Sequence, residues 1–394
     1  MAFLETVRVR DFRSARDVEL RLGPVTALVG EARTGKSNLL RAVRALLDPS
    51  EPPGPEDLRG RASELTLEAR LSDGKRIGLA ARPPEQLQAS RGGAPPVLFL
   101  PAGRRAGPLL DLDGAGEEPE EAVRVFRSAL REPPERRSDS AGASALVAAV
   151  DACRDAGVAG VVFLVEEPEL FLRPQTQRYL YRRLRALAAA GNQVLYTTHA
   201  PAFLNVARLE ELVLVRYSER RGTHIVQPAP LDADEAFRIV SEFDAERSEL
   251  FLARSAILVE GRTEKLVLPS IFAALGHDAD RAQVSIVECG GKSNIPVFAG
   301  ICKACRVPFV VVHDRDAEPG EEPIPAELAL NRLIAEIAGR ERTIVLEPDF
   351  EGVTGLRGHS NKPERAWNHF SEPGVEVPET LARVVRLALE AAGR

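Results

Sequence analysis

The sequence predicts an α/β protein made of two successive domains, each with a largely parallel sheet. Three features carry that expectation. Apolar runs at 25–29, 161–165, 256–259 and 309–312 have the pattern of strands buried on both faces. Stretches with helical apolar spacing lie between many of the strands, and that alternation belongs to parallel sheets. A glycine-containing loop at 30–37 joins the first buried strand to the first helix.

In chain order, alternating strands are expected over 3–10 and 17–22, then the buried strand 25–29, the loop, and a helix over 36–47. Segments 49–60 and 92–96 are rich in Pro and Gly and read as loops; 108–142 reads as charged, proline-broken loop around one helix near 121–130. The buried strand 161–165, a basic amphipathic helix over 175–189 and a strand over 193–197 follow, and strands near 211–216 and 223–226 finish this part antiparallel. Residues 227–252 form the expected junction between a first domain, 1–226, and a second, 253–394. In the second, strands at 256–259, 284–287, 309–312 and 343–346 alternate with helices at 264–275, 294–305, 326–338 and 379–392.

The 394 residues carry 52 Lys+Arg against 58 Asp+Glu, a net charge of −6. No global positive field exists to hold nucleic acid, so binding of that kind needs local patches or metal ions. No apolar run approaches a membrane span, and the N-terminus lacks a signal-peptide core, so a cytoplasmic protein without a membrane partner is expected. Cys289, Cys302, Cys305 and His313 could be drawn as a zinc site, but their spacing is not that of two short pairs; packing in an α/β core is the better reading. Arg173, Arg178, Arg182, Arg183 and Arg185 share a helix with Leu180, Leu184 and Leu187 and read as its solvated face.

Gly30-Glu31-Ala32-Arg33-Thr34-Gly35-Lys36-Ser37 fits the phosphate-binding pattern G-x-x-x-x-G-K-[ST] in full, between a strand and a helix. Backbone N–H groups of such a loop turn toward phosphate oxygens, and the helix N-terminus adds positive potential. Gly30, Thr34, Gly35, Lys36, Ser37 and Asn38 are therefore the expected ATP-binding set, with Lys36 reaching the β/γ-phosphates and Ser37 ligating Mg²⁺. The strand 161–165 runs into Glu166 and Glu167, the first placed to hold Mg²⁺ and the second to polarise an attacking water. His199, after the next strand, is placed to sense the γ-phosphate.

Glu166-Glu167-Pro168-Glu169-Leu170 and Thr198-His199-Ala200-Pro201 resemble the Walker B, D-loop and switch histidine of ABC-type ATPases, and Asp11-Phe12-Arg13-Ser14 resembles their opening strand turn. The resemblance implies two ATPase heads sandwiching ATP in a homodimer, with a signature loop supplied in trans. Its candidate here, Ser138-Asp139-Ser140-Ala141-Gly142, is degenerate, which sets ATP binding on firmer ground than hydrolysis. Roughly 130 residues separate Lys36 from Glu166, too few for the long coiled-coil arm of chromosome-maintenance relatives.

In the second domain Glu260 follows a buried strand, with Glu264 one helical turn on; Asp314 and Asp316 end another strand; Glu347, Asp349 and Glu351 follow a third. A parallel sheet delivers these acids to one edge, where ligands bind. Clustered carboxylates repel, and oxygen-only ligation favours Mg²⁺ or Mn²⁺, two of which can clamp a phosphodiester. Glu-Gly with a following Glu, then Asp-x-Asp, resembles a Toprim domain. An ABC-type ATPase followed by Toprim resembles the overcoming-lysogenization-defect (OLD) family of nucleases, over most of the chain.

Gly290-Gly291-Lys292-Ser293-Asn294 and Lys362 also fit that pattern. The resemblance implies that Glu260, Glu264 and Asp314 bind one metal, that Asp316 with Glu347 or Glu351 binds a second, and that Lys362 stabilises charge during DNA cleavage. It further implies a role in phage defence or DNA repair and leaves room for a helicase-like partner. All four tyrosines lie in the first domain, so a covalent tyrosine mechanism at the acids is excluded. The competing expectation is an ATP-dependent switch or assembly protein whose carboxylate site is regulatory or inactive. Residues 253–394 hold 17 basic and 21 acidic side chains, so DNA affinity there should depend on metals.

Overall fold

A computed structural model describes residues 2–83, 86–102, 140–204, 206–229, 247–317, 321–356 and 361–393. The chain forms two compact units, Met1–Pro230 and Leu231–Arg394. The expected helix near 121–130, and Ser138 and Asp139 of the candidate signature loop, lie outside the described residues, as does most of the expected junction.

The first unit is built on an 11-stranded sheet in the order β6-β5-β4-β1-β2-β11-β10-β3-β9-β8-β7. Its strands are β1 Leu4–Phe12, β2 Ala15–Arg21, β3 Val25–Val29, β4 Leu65–Leu71, β5 Arg76–Arg82, β6 Gln86–Ser90, β7 Val97–Leu100, β8 Val162–Glu166, β9 Gln193–Thr198, β10 Leu212–Ser218 and β11 Gly222–Val226. Strands β10, β3, β9, β8 and β7 run parallel, while β2, β1, β4, β5 and β6 form an antiparallel wing. The parallel order sets Val29 beside Thr198 and Glu166 beside Thr197, so the ends of β3, β9 and β8 meet at one edge.

Helix α1, Lys36–Leu47, buries Leu39, Leu40, Val43, Leu46 and Leu47 against the sheet, joining the core of Val7, Val9, Leu65, Leu67, Leu79 and Leu164. Helices α2, Ser140–Asp155, and α3, Pro174–Ala189, pack together, with an ion pair between Arg183 and Asp151. Leu180, Leu184 and Leu187 are buried and Arg173, Arg178 and Arg182 are exposed, as the amphipathic pattern requires, but Arg183 and Arg185 are half-buried and paired with Asp151 and Glu211 rather than solvated.

The second unit holds a four-stranded parallel sheet in the order β13-β12-β14-β15, with β12 Ser255–Val259, β13 Val284–Glu288, β14 Phe309–Asp314 and β15 Thr343–Leu346. Helices α4 Arg262–Ala274, α5 Ile295–Ala304, α6 Pro325–Ala338, α7 Phe350–Thr354, α8 Lys362–Phe370 and α9 Glu379–Ala392 complete it among the described residues. The chain leaves β12 toward β13 on one side and then builds β14 and β15 on the other. The order therefore reverses between β12 and β14, and a crevice at the strands' carboxyl ends follows from that reversal. The core combines Ile257, Val259, Ile271, Phe272, Val310 and Val312 with Leu381, Val384 and Val385 of α9.

Three departures from the sequence reading have local causes. Segment 61–91 was given no element, yet it supplies β4, β5 and β6; β6 is exposed along its whole length and carries no apolar signature. The first turn of α2 begins inside the stretch read as loop, because its small residues lack an apolar stripe there. The stretch 357–363 has the polar composition of a loop, yet Lys362 opens α8 with Pro363 in its first turn, where a proline's missing N–H costs nothing.

Candidate functional site

In the first unit the loop after β3 wraps tightly. A Cβ on Gly30 would lie 2.1 Å from the Val215 carbonyl oxygen, and one on Gly35, at φ +102°, would lie 2.1 Å from Thr223 Oγ1. Lys36 is buried and donates from Nζ to the carbonyls of Gly30 and Glu31, each at 2.8 Å. Desolvation lowers its pKa to about 8. Thr34 bonds the Glu31 carbonyl, Asn38 donates to Ser14 Oγ at 2.7 Å, and Ser37 is half-buried at the start of α1. Sequence reasoning missed Thr223, whose hydroxyl donates to the Thr34 carbonyl at 2.7 Å and so fixes the loop from β11.

Glu166, at the end of β8, is buried and accepts from the Ala102 N–H at 3.3 Å. Glu167 stands at φ +43°, its N–H held by the carbonyl and hydroxyl of Thr197. Its Oε1 lies 3.2 Å from His199 Nε2, and His199 Nδ1 lies 3.5 Å from Lys36 Nζ. The structure thus brings Lys36, His199 and Glu167 into one line. Glu169 Oε1 accepts from both the Thr198 hydroxyl and the His199 N–H, at 2.8 and 2.7 Å, and fixes the backbone that carries the histidine. Only its place in the acidic motif pointed to Glu169.

In the second unit Glu260, just past β12, accepts from the Asp314 N–H at 3.3 Å. Glu264 enters from the first turn of α4 and is buried. Burial raises the pKa of Glu260 and of Glu264. Asp314 moves furthest, to about 7, first through burial and then through the neighbouring charge of Glu264. Its Oδ1 is buried and has no hydrogen-bond partner. The structure brings these three acids together.

The remaining acids are divided between two lysines. Asp316, at φ +59°, accepts from Lys292 at 2.6 Å, and Glu351 pairs with Lys362 at 2.6 Å. Burial lowers the pKa of Lys362, but the bond to Glu351 together with the charges of Glu351, Asp314 and Glu264 outweighs it and the net shift is upward. Glu347 is exposed; Asp349 instead contributes charge at Asp314 while capping α7 through the Gly352 N–H. Among the described residues no three Asp, Glu, His or Cys side chains already close on one point to grip an ion. Cys289, Cys302 and Cys305 are buried without disulfides, and His313 turns Nδ1 to the Asp314 carbonyl. An all-oxygen donor set with an unpartnered buried carboxylate oxygen fits a hard divalent cation.

Residues 251–316 match the family model described as the overcoming lysogenization defect protein-like TOPRIM domain. Residues 136–205, which contain Glu166 and His199, match an AAA domain described as a putative AbiEii toxin of type IV toxin–antitoxin systems. The OLD nuclease of Thermus scotoductus is 36% identical over 245 residues, 56% of this chain and 46% of that protein. The chain is OLD-like. The Toprim-like stretch falls in the second unit, on its four-stranded parallel sheet. The Old nuclease of Escherichia phage P2 is 25% identical over 39% of this chain and 28% of its own length. The chain thus spans less than half the length of these curated relatives. Among solved structures, the SMC head domain of Thermotoga maritima matches with a TM-score of 0.38 at 17% identity, covering 58% of this chain and 99% of that one. Among the described residues no helix is long and apolar enough to cross a membrane.

Proposed function

We propose that this OLD-like chain is an ATP-binding, metal-dependent DNA endonuclease that nicks phosphodiesters at its Toprim acids. The observation that carries the reading is Asp314, whose buried, unpartnered oxygen beside Glu260 and Glu264 suits a hard divalent cation. Glu260, Glu264 and Asp314 would hold one ion, and Asp316 with Glu351 a second. Mg²⁺ or Mn²⁺ there supplies Lewis acidity and an activated water for displacement at phosphorus. Glu264 and Asp314, from a helix and a strand of one rigid core, fix their carboxylates at the crevice. Lys362, kept protonated by Glu351, presents its ammonium to the charge that develops on the cleaved phosphate.

In the head, Gly30, Thr34, Gly35, Lys36, Ser37 and Asn38 would receive ATP, Ser37 and Glu166 its Mg²⁺, and Glu167 with His199 the attacking water. Binding would draw Lys36 off the loop carbonyls onto phosphate. Two copies of the chain would close on ATP as a homodimer. Phage defence or DNA repair is the setting this reading favours.

The test is cleavage of end-labelled duplex DNA with Mg²⁺, Mn²⁺ or chelator, comparing wild type with Glu260→Gln and Lys36→Ala. Metal-dependent cuts absent in Glu260→Gln support the nuclease, and Lys36→Ala reports its coupling to nucleotide. Intact ATP hydrolysis with no cleavage under any metal would instead make the chain a switch.

A further inference from the structure

Lys292 is the more enclosed of the two lysines at the second unit's acids, 6% exposed. It sits in the turn after β13, behind Gly290 and Gly291, and its ammonium has three acceptors around it. Nζ donates to the Asp314 backbone carbonyl at 2.8 Å and to Asp316 Oδ2 at 2.6 Å, and lies 3.2 Å from Glu327 Oε2 on α6. Two hydrogen bonds and one ion-pair contact hold the charge in place. Asp316, bent into the left-handed region, is held by this contact, whereas Asp314 Oδ1 stays unpartnered.

We propose that Lys292 is a positioning residue, an internal cation that holds Asp316 and makes the two metal positions unequal. The position formed by Glu260, Glu264 and Asp314 is open and fills tightly; the one that needs Asp316 fills only in competition with Lys292. This rests on the proposed cation site and extends it: the second ion then binds only at higher metal concentration, and cutting is gated by that weaker occupancy. A buried lysine on Asp316 does locally what a second ion would do there, since both neutralise the Asp316 carboxylate.

The experiment is Mn²⁺ titration of the full chain without nucleotide or DNA, followed by the electron paramagnetic resonance signal of free Mn²⁺. Wild type should show one tight site and a second at least about tenfold weaker, because affinity follows the charge left on the ligands. Lys292→Met frees Asp316 and should tighten the second site about tenfold or more, while Lys292→Arg keeps the charge and keeps it weak. Asp316→Asn should remove the weak site and leave the tight one, a check that holds even if Lys292→Met fails to fold. Equal affinities in wild type, or an unchanged second site in folded Lys292→Met, would overturn the proposal and leave Lys292 a structural brace. No Mn²⁺ bound by wild type at all would instead remove the cation site itself, and the inference with it.

Discussion

Asp314→Asn should make the metal-free protein more stable above neutral pH. The folded carboxyl is pushed from 3.8 to about 7 by burial first and by Glu264 next. A carboxyl raised in the folded state is favourable when protonated. Its contribution is complete below about pH 4 and is lost as pH rises through about 7. The change from 3.8 to about 7 is worth about 4 kcal/mol at ~1.4 kcal/mol per pH unit, an upper figure for one buried group. Glu260 and Glu264 shift in the same direction and steepen the same fall.

Trp367, the single tryptophan, lies on α8 of the second unit, so its fluorescence in urea follows that unit alone. In chelator, wild type should lose stability between about pH 4 and about pH 7, and Asp314→Asn should flatten most of that loss. Added Mn²⁺ should restore wild type at the higher pH and leave the variant nearly unchanged. Stability that rises or stays level over this range in wild type, with no difference in the variant, would refute the reasoning.

Gly35→Ala places a Cβ 2.1 Å from Thr223 Oγ1 at a φ of +102°. The strain of ~1–3 kcal/mol should weaken binding of a fluorescent ATP analogue about tenfold or more. Lys36, at about 8 in the free head, should regain its full charge against phosphate, so ATP binding near that pH should take up a proton. Calorimetry in buffers of different ionisation enthalpy reads this directly, and Lys36→Met should abolish the uptake. Because the acid-bearing domain has a net negative charge, excess chelator should abolish DNA binding in a gel-shift assay as well as cleavage. Tight binding retained in chelator would contradict this.

Much of both sites was legible in the sequence because the informative residues sit at the ends of short, fully apolar strands. Val25–Val29 leads into the Gly30 loop, Val162–Glu166 ends in the acidic pair, and β12 and β14 end beside Glu260 and Asp314. Long-range contacts were not legible. Nothing local in Thr223 or Glu169 states that one pins the phosphate loop and the other the His199 backbone, since both bonds cross strands distant in sequence. The lysine pairs on Asp316 and Glu351 depend on side chains brought in by separate elements. Glu347 and Asp349 could not be separated by spacing; the turn into α7 leaves the first exposed and turns the second toward Asp314. Of the antiparallel wing, β6 is illegible because it carries no buried face at all, whereas β4 and β5 do alternate and could have been read.

The central claim is that Glu260, Glu264 and Asp314 form a cation-dependent cutting site. Nicking of supercoiled plasmid by wild type and Glu264→Gln, measured across a Mn²⁺ titration, tests it most directly. Nicking should rise with Mn²⁺, vanish in chelator and be lost in a folded Glu264→Gln protein. Nicking that survives chelator, or proceeds equally in that variant, would contradict it.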